Sequence, residues 1–411
     1  MSDRRVLLIT SVLPWPLRRN GGAQRTALLK KALEKWGRVD VFGIGGSALR
    51  ESTPEFEQQL REQNVVECIV REAPAVQRPW YLPGPLGSAS VVERKYAANY
   101  QVDPAAAAKA QALLKVNRYD LVVGRYLQPM MQSGALKLDI PKILDFDDID
   151  HLTLQAQVTA KPWPGLGGKL GAKRAVARVT DICTTALKQL QTVFVTSEED
   201  RAALAVPTRV LPNIPFAEDL QTWLQPLLPD ADSHELLFVG DLQFPPNRDG
   251  LDHFIAKVWP LVRANIPDAT LTIVGRGLSE QVRAKWSQAA GLNVVGFAPD
   301  LEACYRRCAM TVVPIYFGGG TKIKVLESLA YGRTVVTTPQ AMRGYAALAD
   351  AAPSVAVTGT DEEFAAAAVR LLREPALRDA MARRGRAIVE QSFSPARFQA
   401  VVDEALSEVL A

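Results

Sequence analysis

Residues 310–339 read MTVVPIYFGGGTKIKVLESLAYGRTVVTTP, and this stretch predicts a strand, a glycine loop, a helix and a second strand. The β-branched run 311–315 is typical of a buried strand. Three glycines follow it, and their lack of a Cβ lets a ligand approach the backbone closely. The helix is predicted over about 321–331 because Gly332 then ends it, and residues 334–338 form the next strand.

The charges at the start of that helix are unfavourable unless an anion binds there. The first turn of a helix exposes N–H groups and a partial positive charge, which favours acidic side chains. This helix instead begins with Lys322 and Lys324, at a cost of roughly 0.3–1 kcal/mol per charge. At about 100° per residue, Lys324 and Glu327 lie about 60° apart on one face. A cation at the helix start and a carboxylate one turn further suit a phosphate with a hydroxyl-bearing group beyond it.

The same residues have a simpler interpretation. The glycines can be a flexible loop, and Lys324 with Glu327 an exposed pair contributing about 0.2–0.5 kcal/mol. The spacing does not match the P-loop pattern GxxxxGK[ST], so hydrolysis of a nucleoside triphosphate is not indicated.

The segment GGGTKIKVLESLAYGRTVVTT resembles the donor site of family 4 glycosyltransferases, which have the two-domain GT-B fold. That family usually carries two glutamates eight positions apart. Glu327 matches the second, and the resemblance implies that it binds the ribose of the nucleotide. Gly319 stands at the first position, so that carboxylate is absent. Some subgroups carry such a glycine loop, and the resemblance implies that its amides hold the sugar and phosphates.

The composition is that of an ordinary globular protein of two or three domains, with 411 residues, 48% of them hydrophobic and 22% charged. The four cysteines show no paired metal-ligand spacing, and Cys304 and Cys308 fall on a helical pattern. Few cysteines and no recognisable signal peptide favour a cytoplasmic location. No apolar run approaches the roughly 18 residues needed to span a bilayer.

The net charge is unevenly distributed. Residues 1–215 carry 29 basic and 21 acidic side chains, a balance of +8, while the remainder carries 19 and 23, a balance of −4. The asymmetry can be solvated surface, or the first half can face something anionic.

The first half begins with a strand over 4–11, a glycine turn at Gly21 and Gly22, a helix over 23–36 and a strand over 38–44. This order is one unit of a parallel α/β sheet, in which ligands usually lie at the turn. In family 4 a P…GG…R pattern lies here, which Pro16, Gly21, Gly22 and Arg25 match. Further predictions in this half are strands at 64–71, 120–126 and 142–147, a loop at 73–89, and helices at about 90–100 and 104–116.

Four aspartates and a histidine crowd the end of the strand at 142–147: Asp145, Asp147, Asp148, Asp150 and His151. Carboxylates this close raise one another's pKa unless a cation or hydrogen-bond donors compensate. Helix capping is the alternative, and a metal site is a lesser one. Many family members place a histidine followed by an aspartate at this strand end, facing the reacting sugar. Here Asp147 and Asp148 take those places.

Residues 161–178 contain five basic and no acidic side chains beside Trp163. A long helix is predicted to continue from there to about residue 191. Residues 216–233 are typical of a linker, and a second α/β series begins at Glu235. Family members often place basic residues that bind the diphosphate after Gly240. Asp241 stands there instead, so that role is assigned to Arg248 and Lys324.

The predicted fold is therefore α/β, of the GT-B type, with two doubly wound Rossmann-like domains facing across a cleft. The predicted domains are 1–215 on the acceptor side, 216–393 for the nucleotide sugar, and a helix at 394–411 that crosses back to the first domain.

The predicted function is a glycosyltransferase of the EC 2.4 class that moves a sugar from a nucleotide-sugar donor to an acceptor. The resemblance implies retention of the anomeric configuration, and a glycan or lipid-linked acceptor. The alternatives are a nucleotide-sugar epimerase and a non-catalytic nucleotide-sugar-binding protein. No cofactor or metal is expected, since the UDP- or GDP-linked sugar is a substrate, and no nucleic acid is expected as a partner.

The predicted location is the cytoplasm, and peripheral binding to the inner face of the cell membrane is a further expectation, since the basic first half would meet anionic lipid there. The predicted catalytic residues are Asp147 and Asp148. The predicted donor-binding residues are Gly21, Gly22, Arg248, Gly318, Gly319, Gly320, Thr321, Lys322, Lys324 and Glu327.

Overall fold

The computed structural model describes residues 4–14, 21–45, 54–71, 84–160, 163, 165–215, 233–349 and 353–411. Several predictions fall outside these ranges: those for Pro16, for Lys161 in the basic segment 161–178, for most of the loop at 73–89, and for the linker up to residue 232.

The chain divides into two compact units, Met1–Pro212 together with Phe398–Ala411, and Asn213–Arg397. The sequence-based division placed its boundaries after residues 215 and 393. Within unit 1, the last helix is tied to earlier residues by side-chain hydrogen bonds. The indole of Trp36 donates to Asp403 Oδ1 over 2.6 Å, and Gln399 donates to the carbonyl of Ala32 over 3.2 Å.

Unit 1 contains a parallel sheet whose strand order is β3-β2-β1-β4-β5-β6-β7. Its central strands are buried on both faces, as the apolar runs in the sequence predict for a parallel sheet. The strands are β1 (Arg5–Thr10), β2 (Arg38–Gly45), β3 (Val65–Val70), β4 (Leu121–Arg125), β5 (Lys142–Asp145), β6 (Thr192–Val195) and β7 (Thr208–Val210).

The helices predicted for unit 1 lie close to their predicted positions, with two differences, and unit 1 also contains helices that were not predicted. The third helix begins at Gly84, inside the predicted loop, since a proline is tolerated in the first turn of a helix. The long helix predicted to follow residue 161 is preceded by a separate one. The helices are α1 (Gly21–Glu34), α2 (Pro54–Glu62), α3 (Gly84–Ala97), α4 (Pro104–Val116), α5 (Leu127–Gln132), α6 (Asp150–Ala160), α7 (Gly165–Leu187) and α8 (Glu198–Ala202).

Unit 2 contains a second parallel sheet, of order β10-β9-β8-β11-β12-β13. Its strands are β8 (Glu235–Val239), β9 (Thr270–Val274), β10 (Leu292–Gly296), β11 (Met310–Val313), β12 (Val335–Thr337) and β13 (Ala356–Val357). Its helices are α9 (Pro245–His253), α10 (Trp259–Asn265), α11 (Glu280–Trp286), α12 (Leu301–Arg307), α13 (Ile323–Ala330), α14 (Ala346–Ala349), α15 (Asp361–Arg373) and α16 (Pro375–Ser392), while α17 (Pro395–Val409) ends the chain.

Both sheets reverse their strand order at one point, between β1 and β4 in unit 1 and between β8 and β11 in unit 2. In open α/β sheets, ligands bind outside the carboxyl ends of the strands at such a switch point. Two doubly wound sheets confirm the predicted fold class. Ligands are therefore expected beside the residues that follow β4, β5, β8 and β11.

Candidate functional site

The glycine loop after β11 is held by side chains that bind its carbonyl groups. Gln340 Nε2 donates to the carbonyl of Gly318 over 2.7 Å, and Lys322 Nζ donates to the carbonyls of Gly319 and, over 2.9 Å, of Gly320. Gly318 and Gly320 have φ values of +110° and +65°, which only glycine adopts without strain. The loop is therefore a defined structure rather than a flexible connection.

Lys322 has a role that the sequence did not predict. Its side chain is buried, and its ammonium is engaged by the loop's own carbonyls. The structure therefore gives Lys322 a part in shaping the loop, and its direct contact with a donor stays a prediction. Thr321, just before it, accepts a hydrogen bond from Asn213 Nδ2 over 2.7 Å.

Lys324 lies at the switch point of unit 2. Its ammonium donates to Asn247 Oδ1 over 2.6 Å and lies 4.3 Å from the ring centre of Phe238. A Cβ at Gly240, directly after β8, would come within 2.5 Å of this nitrogen, so a larger residue there would displace the lysine side chain. Within the described residues, no carboxylate forms an ion pair with Lys324.

Burial and, to a smaller extent, the charge of Lys322 lower the pKa of Lys324 to about 7, against the opposing effect of Glu327 and Asp241. A partly buried cation whose hydrogen-bond acceptor is a neutral amide is only partly compensated. A bound anion would supply the missing negative charge.

Glu327 follows Lys324 by one turn of α13, and it is 9% exposed. The helix has no acidic residue in its first turn, as the sequence indicated. Lys324 and Glu327 are close enough for the carboxylate to act on the pKa of the lysine, so the structure brings this predicted pair together.

Arg248 is placed differently from the prediction. It lies on α9, and its guanidinium donates to Asp249 Oδ1 over 3.1 and 2.9 Å. The side chain of the preceding residue, Asn247, is the one that reaches Lys324. Donor binding by Arg248 stays a prediction, while Asn247 joins the site as a residue that the sequence analysis missed.

In unit 1, the aspartates after β5 are compensated by two buried arginines. Arg25 donates to Asp145 through Nη2 over 2.6 Å, and Arg125 Nε lies 3.2 Å from the same carboxylate. Arg125 also donates to both oxygens of Asp147, over 2.6 and 2.8 Å. The result is a chain of alternating charges in the order Arg25, Asp145, Arg125, Asp147.

This chain determines the ionisation of Asp147. Burial alone would raise the pKa of Asp147, but the charges of Arg125 and Arg25 outweigh burial and hold the pKa below its usual value. Mutual repulsion of the aspartates therefore does not keep Asp147 protonated. Both of its oxygens are engaged by Arg125, which makes it a fixed negative charge rather than a proton acceptor.

The other acidic residues of the cluster differ from Asp147. Asp148 accepts a hydrogen bond from the hydroxyl of Thr153, within the first turns of α6. Burial raises the pKa of Asp150 to about 7, and the charges of Asp148 and Asp147 contribute to the rise. Burial also lowers the pKa of His151. In the described ranges, no group of three or more His, Cys, Asp or Glu residues could hold a metal ion.

Gly21 and Gly22 form the start of α1, in unit 1. The remaining predicted donor-binding residues belong to unit 2, where the structure gathers the glycine loop, Lys324 and Glu327 around one switch point. Four residues that were not assigned to the site from the sequence contact predicted ones: Asn247, Gln340, Asn213 and Arg125.

Part of unit 2 is similar to a known protein family. Residues 233–374 match the family model described as glycosyl transferases group 1. A 44.6 kDa uncharacterised protein from the cps region of Klebsiella pneumoniae is 34% identical over 116 residues, which are 26% of this chain and 30% of that relative.

Solved structures resemble the chain over nearly its whole length. Sucrose-phosphate synthase from Thermosynechococcus elongatus matches with a TM-score of 0.69, 17% identity and 99% of each chain covered. Anabaena HepE in complex with UDP-glucose matches with a TM-score of 0.63, 13% identity, and 98% of this chain and 99% of that one covered. Trehalose 6-phosphate synthase from Burkholderia multivorans matches with a TM-score of 0.64 and 15% identity, and the match covers 100% of this chain and 97% of that one.

At these identities the structural likeness shows the fold, and the family model describes the domain. Assignment to family 4 and retention of configuration stay predictions. Residues 233–374 are therefore similar to the glycosyl transferases of group 1, within a chain that has the GT-B fold.

Proposed function

We propose that this protein transfers a sugar from a nucleotide-sugar donor to an acceptor, and that unit 2 binds the donor. The observation that carries the proposal is Lys324, a partly buried cation that forms no ion pair with a carboxylate among the described residues, at a sheet switch point beside a glycine loop. The match of residues 233–374 to the group 1 glycosyl transferases supports it.

The donor's diphosphate fits the start of α13. The carbonyls of the glycine loop are turned toward Gln340 and Lys322, and the helix start favours negative charge. A diphosphate there would take the ammonium of Lys324 as its countercharge. The carboxylate of Glu327, one turn further along α13, would accept hydrogen bonds from the ribose hydroxyls.

In the reaction, the bond between the anomeric carbon and the phosphate oxygen breaks, and the acceptor hydroxyl oxygen bonds to that carbon. Negative charge grows on the departing diphosphate, so a fixed cation such as Lys324 stabilises the transition state. The proton of the acceptor hydroxyl passes to the departing phosphate oxygen. We assign to Asp147 the role of a fixed negative charge near the transferred sugar, with Asp148 beside it.

The two alternative functions, epimerase and binding protein, differ from sugar transfer in their products. A nucleotide-sugar epimerase would convert the donor without an acceptor. A binding protein would take up the nucleotide sugar without hydrolysis or transfer, and the glycine at position 319 in place of a carboxylate is the feature that favours it. The backbone at Gly319 is not in the left-handed region, so a glutamate at this position is compatible with the backbone conformation.

We further propose that the acceptor is lipid-linked and that α7 binds the anionic membrane surface in which it lies. Lys169, Lys173, Arg174 and Arg178 on this helix are exposed, together with Leu166, which is 80% exposed. Basic side chains near exposed leucine suit a surface of anionic lipid. Arg25 and Lys30 do not contribute, contrary to the sequence analysis, because both are buried and paired with Asp145 and Glu34.

The structure contains no helix in its described residues that is long and apolar enough to cross a bilayer. A small water-soluble acceptor, with the basic residues merely solvated, is the competing possibility.

The first prediction concerns Lys324→Met in the ligand-free protein. Because the pKa of Lys324 falls from 10.5 to about 7 on folding, the unfolded chain binds more protons between those values. The partly buried lysine therefore destabilises the fold most at and below pH 7, and this penalty fades as the pH rises. Lys324→Met should raise the melting temperature at pH 6.5, with a gain that shrinks toward pH 9.5.

Lys257→Met, at an exposed lysine of the same unit, is the matched control and should change little at any pH. Melting curves across this range decide the matter. A gain from Lys324→Met that is absent, or that is the same at every pH, would contradict a partly buried and partly uncompensated lysine.

The second prediction concerns the donor. In a thermal-shift screen of UDP, GDP, ADP and TDP sugars, the right donor should add about 2.7 kcal/mol of stability near 100 times its Kd. Glu327→Gln should reduce this gain, and the exposed control Glu362→Gln should keep it. No stabilisation by any nucleotide sugar would refute the proposed function, and product analysis with and without acceptor separates transfer from epimerisation and from simple binding.

The third prediction concerns the membrane. Wild-type protein should sediment with vesicles containing phosphatidylglycerol and not with pure phosphatidylcholine. Glutamine at Lys169, Lys173, Arg174 and Arg178 should reduce binding by more than tenfold, since each basic residue contributes about 1 kcal/mol.

The control removes the same number of charges from exposed positions of unit 2, by glutamine at Lys257, Lys285, Arg306 and Arg370. Equal effects of the two sets, or no vesicle binding at low salt, would leave the soluble acceptor as the better account.

A further inference from the structure

Tyr126 has a backbone conformation that aromatic residues rarely adopt. Its φ is 72° and its ψ is 146°, close to a region that is essentially restricted to glycine. Such a conformation costs on the order of 1–3 kcal/mol and persists only where the surroundings enforce it. Strained residues of this kind cluster at functional sites, so its position and contacts matter.

Tyr126 directly follows β4, at the carboxyl end of the strand and beside the switch point between β1 and β4. This is the edge of the first sheet where a ligand is expected. Its amide donates to the carbonyl of Asp145 over 3.1 Å, which joins the ends of β4 and β5. The strain therefore lies at the edge that carries the predicted catalytic aspartates.

The side chain of Tyr126 covers the arginine that holds Asp147. The guanidinium carbon of Arg125 lies 3.9 Å from the centre of the phenol ring, and Arg125 Nη2 donates to the phenol oxygen over 3.1 Å. The same nitrogen donates to Asp147 Oδ2 over 2.8 Å. The guanidinium thus stacks on the ring of its neighbour while its outer nitrogens grip the carboxylate.

We propose that Tyr126 is a positioning residue for the transfer reaction, whose strained backbone lays the phenol on Arg125 and so fixes the Arg125–Asp147 pair at the edge of the sheet. The inference rests on the proposed function and adds to it a residue that acts through Asp147. Without the phenol, Arg125 could turn between Asp145 and Asp147, and the carboxylate of Asp147 would lose its fixed direction. A misplacement of about 1 Å can reduce a reaction rate about 100-fold.

The structure supplies a matched control for the strain. Asn64 has φ 53° and is the other non-glycine residue with positive φ in the described ranges. It directly precedes β3, so it lies at the amino end of a strand of the same sheet. Replacing Asn64 by glycine relieves backbone strain far from the carboxyl edge.

The test compares Tyr126→Gly, Tyr126→Phe and Asn64→Gly in the full chain. Tyr126→Gly relieves the backbone strain but loses the ring over Arg125, so it should remain folded in a melting curve, with kcat lowered about 100-fold and little change in the Kd of the donor. Tyr126→Phe, which keeps the ring over Arg125, should restore most of kcat. Asn64→Gly should keep both the melting temperature and kcat.

A second measurement follows Asp147 itself by ¹³C NMR of its carboxyl group, with Asp147→Asn to assign the signal. Arg125 holds the pKa of this carboxyl low against the effect of burial, so a loosened Arg125 in Tyr126→Gly should raise it, and the acidic limb of kcat should move to higher pH. Tyr126→Phe should raise the pKa of Asp147 by less than Tyr126→Gly does.

The outcomes separate the inference from the function on which it rests. A wild-type protein that turns over no nucleotide sugar refutes the function, and the pKa of Asp147 then still tests the Arg125 contact. If wild type is active, an unchanged kcat in Tyr126→Gly overturns the inference. So does a loss of kcat with no change in the pKa of Asp147, or a similar loss in Asn64→Gly.

Discussion

The chain of alternating charges from Arg25 through Asp145 and Arg125 to Asp147 is the constraint on which unit 1 depends. It joins α1 to the ends of β4 and β5, and its two arginines and Asp145 are essentially inaccessible to solvent. Removing one partner of a buried ion pair typically costs about 3–5 kcal/mol, because the other charge is left uncompensated. The carboxyl edge of the first sheet is therefore rigid, and Asp147 is held there in its ionised form.

Unit 2 follows the opposite electrostatic rule at the equivalent place. Its switch point presents Lys324, which has an amide oxygen as its acceptor and an aromatic ring beneath it instead of a carboxylate. Such a cation is unfavourable in the empty protein and favourable once an anion is bound. The carboxyl edge of the first sheet thus carries aspartates whose negative charge the protein's own arginines compensate. The carboxyl edge of the second sheet carries the positive charge of Lys324, and we propose a bound diphosphate as its countercharge.

The sequence was sufficient to predict the fold, because local signals carry it, and local signals also led to the donor-site prediction. The period of the apolar residues and the glycines placed the strands and helices, and two lysines at a helix start indicated an anion. The sequence could not show that arginines compensate the charge of the aspartates, because the partners are distant in sequence. Arg25 and Asp145 are 120 positions apart, and Arg125 and Asp147 are 22 apart. The strain at Tyr126 was hidden for another reason, because tyrosine is among the residues least expected at positive φ. The engagement of Lys322 by loop carbonyls equally depends on a loop conformation that three glycines alone do not specify.

Proton uptake on binding of a nucleoside diphosphate tests the central claim most directly. Calorimetry at pH 8 in two buffers of different ionisation enthalpy measures it. If Lys324, with a pKa of about 7 in the empty site, becomes the countercharge of the diphosphate, binding should take up close to one proton at pH 8 and progressively fewer toward pH 6. Lys324→Met should abolish the uptake. Tight binding with no proton uptake at pH 8, or with the same uptake in Lys324→Met, would contradict the account.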